Sequence, residues 1–356
     1  MLLGIFGLPQ SGKTTLFNAL TRASQPTGMV TGRIEVNTAT VDVPDPRLDH
    51  LFEIFSPPKK VNAKVTYVDI AGLDGSAGKT GISGQLLNHL AQVDGFIHVV
   101  RCFEDESVPH QAGSVDPQRD ILTMDGEFIL NDLIMVERRL ERLEDERRKG
   151  GGRDKLVIER EIALFNRLHG TLSDEIPLRD VEIKPDELKM LSSFGLLSNK
   201  PVLVTLNLGE GQETPQIHYE HQKSMLLAIQ ALLEMEIAQL PPEDMGIFLD
   251  EYGIEELGLD RIIRTSYDLL GLQTFFTYGE KEVRAWAVRR GATAPEAAGV
   301  VHSDMQRGFI RAEVIPYDDL SVLGGIAEAR SQGKLRLDGK GYIVQDGDII
   351  TVRFNV

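Results

Sequence analysis

Apolar residues in this chain fall into distinct patterns, and each predicts a different element. Short continuous or alternating runs predict buried strands: LLGIF (2–6), KVTYVD (64–69), GFIHVV (95–100), PVLVTLN (201–207) and MLLAIQA (225–231). Helical spacing follows the first and last of them, with Leu16, Phe17 and Leu20 in TTLFNALT and then the segment LLEMEIAQL. Strands separated by helices predict a parallel sheet covered on both faces, with ligands at the strands' C-terminal ends. IEVNTATVDVP (34–44) predicts an edge strand pairing antiparallel with AKVTYVD. From Glu127 to Gly195 the period changes. Ile129, Leu133, Val136, Leu140 and Leu143 recur at spacings of 4, 3, 4 and 3, a heptad seam. Gly150-Gly151-Gly152 interrupts it, and a second helix from about Arg153 carries Ile158, Ile162, Phe165 and Leu172. The two helices predict an antiparallel hairpin, and SDEIPLRDVEIKPDE a loop returning to the sheet. GIEELGLDRIIRTSYDLLGL predicts an amphipathic helical linker. A further unit, from about Gln273, ends in the strands of GYIVQDGDIITVRFNV around a turn at Asp346-Gly347.

Composition narrows the function classes. The 356 residues are 42% hydrophobic and 26% charged, the profile of a soluble globular protein of two or three domains. No apolar run approaches the roughly 18 residues of a membrane span, and the apolar start of MLLGIFGLPQSGK is too short for a signal peptide. The single cysteine, Cys102, excludes an internal disulfide and a thiolate zinc site. A cytoplasmic protein without a membrane partner is expected. The net charge of −16 argues against wholesale nucleic-acid binding and against DNA sequence readout. It leaves room for a local basic face, such as Arg284, Arg289, Arg290, Arg307 and Arg311. His302 reads as structural, since no nucleophile or metal cluster accompanies it.

The first strand runs into GLPQSGKT, which fits G-x-x-x-x-G-K-[ST] at Gly7, Gly12, Lys13 and Thr14. Glycines let backbone N–H groups curl around phosphate oxygens, and the following helix N-terminus adds positive potential. Pro9, Gln10, Ser11 and Thr15 fill out this loop. Lys13 would reach the β- and γ-phosphates, and the Thr14 hydroxyl would hold Mg²⁺. KVTYVDIAG adds Asp69, a candidate for the same Mg²⁺, and Gly72, a candidate γ-phosphate sensor. Leu73 follows, where a Ras-type switch places a water-orienting glutamine, and leucine cannot do that work. Asn207-Leu208-Gly209-Glu210 ends a strand on the same rim, in the place of N-K-x-D in a guanine-nucleotide switch. Leu208 replaces the bracing lysine, and the acid is one methylene longer, a shift that bidentate base recognition tolerates poorly. That favours ATP over GTP. A strand-ending turn is the other reading of Asn207.

GLPQSGKTT, VPDPRLDHLFEIF, VDIAGL, FIHVVRCFEDESV, VERRLERLE and GEKEVRAWAVRRGATAPEAAGVVHSDMQRGFIRAEVI together resemble the Obg-like ATPases of the YchF type, over essentially the whole chain. The resemblance implies an α/β, Ras-like P-loop nucleotide domain (1–124 and 198–272), an inserted coiled-coil arm (125–197) and a C-terminal, β-grasp-like TGS domain (273–356). It implies an N-x-x-E motif that favours ATP, matched by Asn207 and Glu210, with Gln230 and Ala231 flanking the base. It also implies a hydrolytic histidine, matched by His110, and a ribosome or other RNA-containing partner. The implied activity is a weak ATPase or GTPase with Mg²⁺. Several positions depart from the family pattern. Arg33 stands where a Mg²⁺-binding threonine is usual, and Gln10-Ser11 where Asn-Val is usual. Gln230-Ala231-Leu232 replaces S-A-K, and GISGQ (81–85) replaces the usual second switch. Arg33 reads either as an internal arginine finger or as a solvated loop residue. These departures leave a second reading, a nucleotide-binding regulator of a protein partner with little hydrolysis.

Overall fold

The computed structural model of the chain describes residues 1–22, 36–70, 82, 84–150, 152–251 and 256–355. Gly72, Leu73 and Arg33, with Gly81 and Ser83 of GISGQ, lie outside the described residues. The chain divides into two compact units, 1–39 with 66–259, and 40–65 with 260–356.

In chain order the first elements are β1 (Leu2–Phe6), α1 (Lys13–Thr21), β2 (Val36–Asp42), α2 (Pro46–Phe55), β3 (Lys59–Val61) and β4 (Lys64–Ile70). They are followed by α3 (Gly84–Gln92), β5 (Gly95–Arg101), α4 (Pro117–Lys149), α5 (Lys155–Ser173), α6 (Pro185–Leu191), β6 (Val202–Asn207), β7 (Ser224–Ile229), α7 (Ala231–Ala238) and α8 (Pro242–Glu251). The sheet of the first unit has the order β2-β4-β1-β5-β6-β7, with β4, β1, β5, β6 and β7 paired parallel. Strand β1 has β4 on one side and β5 on the other, so the strand order reverses there. The loop leaving β1 therefore opens at the switch point where α/β sheets bind ligands. Phe6, Phe96 and Phe128 meet under this strand with ring centroids 4.9 to 5.2 Å apart.

Phe128 belongs to α4, so the 33-residue helix that leads into the arm is rooted in the core of the sheet. Asp116 caps its N-terminus, and Gly150, at a left-handed φ of 66°, ends it. Farther out, Ile129, Val136 and Leu143 are buried against Ile158, Ile162, Phe165 and Leu172 of α5, the antiparallel seam that the heptad pattern predicts. Arg139 bridges along α4 to Glu146 and across the hairpin to Glu161, and Arg153, just before α5, bridges to the same two glutamates. Three buried carboxylates tie α4 to its surroundings. Asp120 meets His110, and Asp125 meets Arg179 and the Tyr219 hydroxyl. Asp132 accepts the N–H groups of Leu197 and Ser198 and the Ser198 hydroxyl, and burial raises its pKa to about 6. The returning stretch expected as loop contains a 3₁₀ turn, Leu178–Asp180, and helix α6. Pro185 supplies the fixed φ that favours the start of α6.

The second unit contains α9 (Gly258–Leu269), which begins just before it, then β8 (Leu272–Tyr278), β9 (Glu282–Arg289), α10 (Ala294–Val301), α11 (Ser303–Arg307) and β10 (Phe309–Pro316). Helices α12 (Tyr317–Leu323) and α13 (Ile326–Ser331) and strands β11 (Arg336–Asp338) and β12 (Asp348–Phe354) complete it. Its mixed sheet runs β11-β10-β12-β8-β9-β3. Strand β3 comes from the segment 40–65 and pairs parallel with β9, Lys60 opposite Val283. From the same segment, Arg47 bridges to Asp346 at 2.6 Å. Leu48, Leu51, Phe52 and Phe55 recur at helical spacing and signal α2, but not the unit it packs in. GYIVQ, expected as a strand, makes only an isolated bridge between Ile343 and Thr293.

Candidate functional site

The loop between β1 and α1 is shaped by two glycines with positive φ. A Cβ on Gly7 (φ 149°) would lie 2.3 Å from the Val99 carbonyl oxygen, and one on Gly12 (φ 97°) 2.2 Å from Asn207 Nδ2. No side chain fits at either place. Gln10 is left-handed as well, at φ 61°, and exposed. Helix α1 starts at Gly12 with no side-chain cap and no acid in its first turn, which leaves its N-terminal N–H groups and positive dipole end to a ligand. Lys13 Nζ donates to the Leu8 carbonyl at 2.8 Å, and burial lowers its pKa to about 8 against the opposing pull of Asp69. Thr14 Oγ1 donates to Asp69 Oδ2 at 2.9 Å. The other carboxylate oxygen, Asp69 Oδ1, is buried and has no partner among the described residues. Burial raises the Asp69 pKa, and the Thr14 bond and Lys13 resist that rise.

Asn207 lies across the rim from this loop and is 4% exposed. Its Nδ2 donates to the Ser11 carbonyl and its Oδ1 accepts the Ala231 N–H, each at 3.0 Å. One amide thus joins the phosphate loop, the end of β6 and the start of α7. Leu208 packs on the apolar cluster that holds Cys102 and Leu206, and Glu210 is exposed in the following turn. Gln230 occupies the N-cap position of α7 and makes no side-chain capping bond. Gln212 braces this loop, accepting from the Gly209 N–H and donating to the Cys102 carbonyl. Nothing in its sequence neighbourhood signals that role.

His110 lies with Pro9, Ser11, His98, Arg101 and Asp120 around one recess beside the phosphate loop. Its Nε2 is 2.9 Å from Asp120 Oδ2, and its Nδ1 accepts the Ala112 N–H at 3.1 Å. Arg119 grips the other Asp120 oxygen with Nε and Nη2 at 2.9 and 2.8 Å. Arg101 is 2% exposed. It donates from Nε to the Phe103 carbonyl and lies over the Phe103 ring, and its Nη1 has no partner among the described residues. His98 is stacked on Phe6, and burial lowers its pKa to about 4. Of these neighbours, Asp120 was readable as a first-turn residue, because Asp116-Pro117 is a helix-start signal. Its contact with His110, ten positions earlier, was not.

This loop, opening at the switch point of a parallel sheet, places the protein among the P-loop nucleotide-binding proteins. Residues 2–137 match the 50S ribosome-binding GTPase family model. Residues 272–355 match the YchF-GTPase C-terminal model, described as a protein of unknown function (DUF933). The chain is similar to the ribosome-binding ATPase YchF of Bacillus subtilis, 42% identical over 365 residues and 99% of each chain. It is also similar to Obg-like ATPase 1 of Oryza sativa subsp. japonica, 37% identical over 366 residues, 99% of this chain and 92% of the relative. Among solved structures, the YchF GTPase of Schizosaccharomyces pombe superposes with a TM-score of 0.80 at 29% identity, covering 99% of this chain and 97% of that one. The chain belongs to the YchF family of Obg-like ATPases.

Proposed function

We propose that this protein is a cytoplasmic, nucleotide-dependent switch that binds ATP at the loop between β1 and α1, hydrolyses it slowly and acts with the ribosome. The observation that carries the reading is near-full-length similarity to ribosome-binding ATPases, joined to a phosphate loop with an uncapped helix behind it. In this reading Gly7, Pro9, Gln10, Ser11, Gly12, Lys13, Thr14 and Thr15 cradle the phosphates, and Gly72 senses the γ-phosphate. Asn207, Leu208, Glu210, Gln230 and Ala231 surround the base. ATP is favoured over GTP because Leu208 carries no charge to brace a guanine loop, and Glu210 is exposed in its turn. Thr14 and Asp69 fit a Mg²⁺ ion: their oxygens are already 2.9 Å apart, and Asp69 Oδ1 is a buried acceptor without a donor among the described residues. Mg²⁺, when bound, neutralises charge on the transferring phosphoryl group. His110 takes the water-orienting role that Leu73 cannot fill.

Calorimetric titration with ATP and with GTP, each with Mg²⁺, tests the base choice, and co-sedimentation with ribosomes tests the partner. Lys13→Ala should abolish nucleotide binding with the fold intact. Tighter binding of GTP than of ATP would overturn the base assignment. A second reading, a nucleotide-binding regulator of a protein partner with little hydrolysis, is favoured by one observation: both ring nitrogens of His110 are already engaged. Single-turnover hydrolysis of Mg·ATP distinguishes the two.

A further inference from the structure

We propose that Asp120 is a positioning residue that holds His110 withdrawn, so that the first turn of α4 acts as a brake on hydrolysis. The proposal rests on the reading of His110 as the hydrolytic residue. A histidine that orients or deprotonates water needs a ring nitrogen free to accept. Here neither is free. Nδ1 accepts the Ala112 N–H, which fixes the neutral tautomer with its proton on Nε2, and that N–H donates to Asp120 Oδ2. The His110 side chain is 5% exposed and that of Asp120 4%. A charge-assisted bond in so dry a place is among the stronger kind.

The carboxylate is itself immobilised. Arg119 donates twice to Oδ1, so Asp120 cannot turn away while α4 stays in place. The position of α4 is set by Asp125 and Asp132, which bind Arg179 and the backbone at 197–198. Two loosely held groups would exchange partners readily. This pair is held from both sides.

The test is steady-state hydrolysis of Mg·ATP by the full-length chain and by Asp120→Asn, His110→Ala and the double variant. Replacing a charged acceptor by a neutral one should raise kcat on the order of tenfold. KM for ATP should stay unchanged, and the gain should vanish when His110→Ala is added. If His110→Ala alone leaves the wild-type rate unchanged, the reading of His110 as hydrolytic fails. If His110→Ala lowers the rate while Asp120→Asn leaves kcat unchanged or lower, His110 stands and the brake is refuted. A gain that persists in the double variant also refutes it. The imidazole ¹⁵N resonances of the unmodified protein give a check that needs no variant. His110 should show the Nε2–H tautomer, and an Nδ1–H tautomer would overturn the proposal.

Discussion

Asn207→Ala separates two roles for the residue that ends β6. If Asn207 chiefly reads the base, its loss should change the ratio of ATP to GTP affinity. If it chiefly braces the phosphate loop, both nucleotides should suffer alike. The geometry favours the brace, because each end of the amide already has a protein partner at 3.0 Å and the residue is 4% exposed. The substitution removes two hydrogen bonds and leaves the Ser11 carbonyl and the Ala231 N–H without them. With net bond contributions of about 0.5–1.5 kcal/mol and about 1–3 kcal/mol for a buried group left unpaired, a loss of about 2–4 kcal/mol from the first unit is expected. Far-ultraviolet circular dichroism during urea denaturation would follow both units together. Trp286, the single tryptophan, lies in the second unit and reports on it separately. Calorimetry should show ATP and GTP affinities falling together by about tenfold, the equivalent of about 1.4 kcal/mol spent re-ordering the loop. Asn207→Asp should bind nucleotide worse still, because it sets a carboxylate oxygen against the Ser11 carbonyl. Unchanged stability, or a tenfold move in the ATP to GTP ratio, would refute the brace.

Three further outcomes follow from the same geometry. Leu208→Lys with Glu210→Asp should move preference towards GTP by one to two decades, at about 1.5–3 kcal/mol for hydrogen bonds to a charged group. A ratio of dissociation constants that stays put would leave the N-x-x-E motif without a role in base choice. Excising 138–163 through a short glycine linker should keep nucleotide binding, whereas excising 127–195 should unfold the first unit, because it removes the fully buried Phe128 and Arg179; circular dichroism and calorimetry distinguish the two. Buried His98 has a pKa lowered to about 4 from 6.5. Between those values the unfolded chain binds a proton that the folded chain does not, so stability falls on acidification from pH 6.5 to 4, by about 3 kcal/mol in full. His98→Phe should flatten that slope in denaturation midpoints measured across the interval, and an unaltered slope would place the titration elsewhere.

The phosphate loop was legible because it is local. Gly7, Gly12, Lys13 and Thr14 are spaced by the demands of one turn, and LLGIF and TTLFNALT show the strand and helix on either side. The seam of the arm was legible for the same reason, since Ile129 to Leu143 repeat within one helix. What stayed hidden depends on contacts between distant positions. Asn207 to Ser11 spans 196 residues and Gln212 to Cys102 spans 110. The arm's root was misread because Phe128 sits one position from the start of the heptad seam yet packs on Phe6 and Phe96. Periodicity says that a face is buried, and not against what. Segment 173–187 was misread because Ser, Asp and Pro mark turns as readily as the first turn of a helix.

The excursion of residues 40–65 has a consequence for how the chain is made. Strand β3 and helix α2 leave the ribosome some 200 residues before their partners β8 and β9 exist. During that interval Leu48 and Leu51, buried in the finished protein, have only the growing first unit and solvent beside them. The second unit therefore has no complete nucleus until synthesis is nearly over. A fragment cut at the family boundary, residue 272, would leave β9 with a bare edge open to other strands. The polypeptide passes between the units near residues 39, 65 and 259, so a single protease cut in any one passage leaves two covalent connections standing.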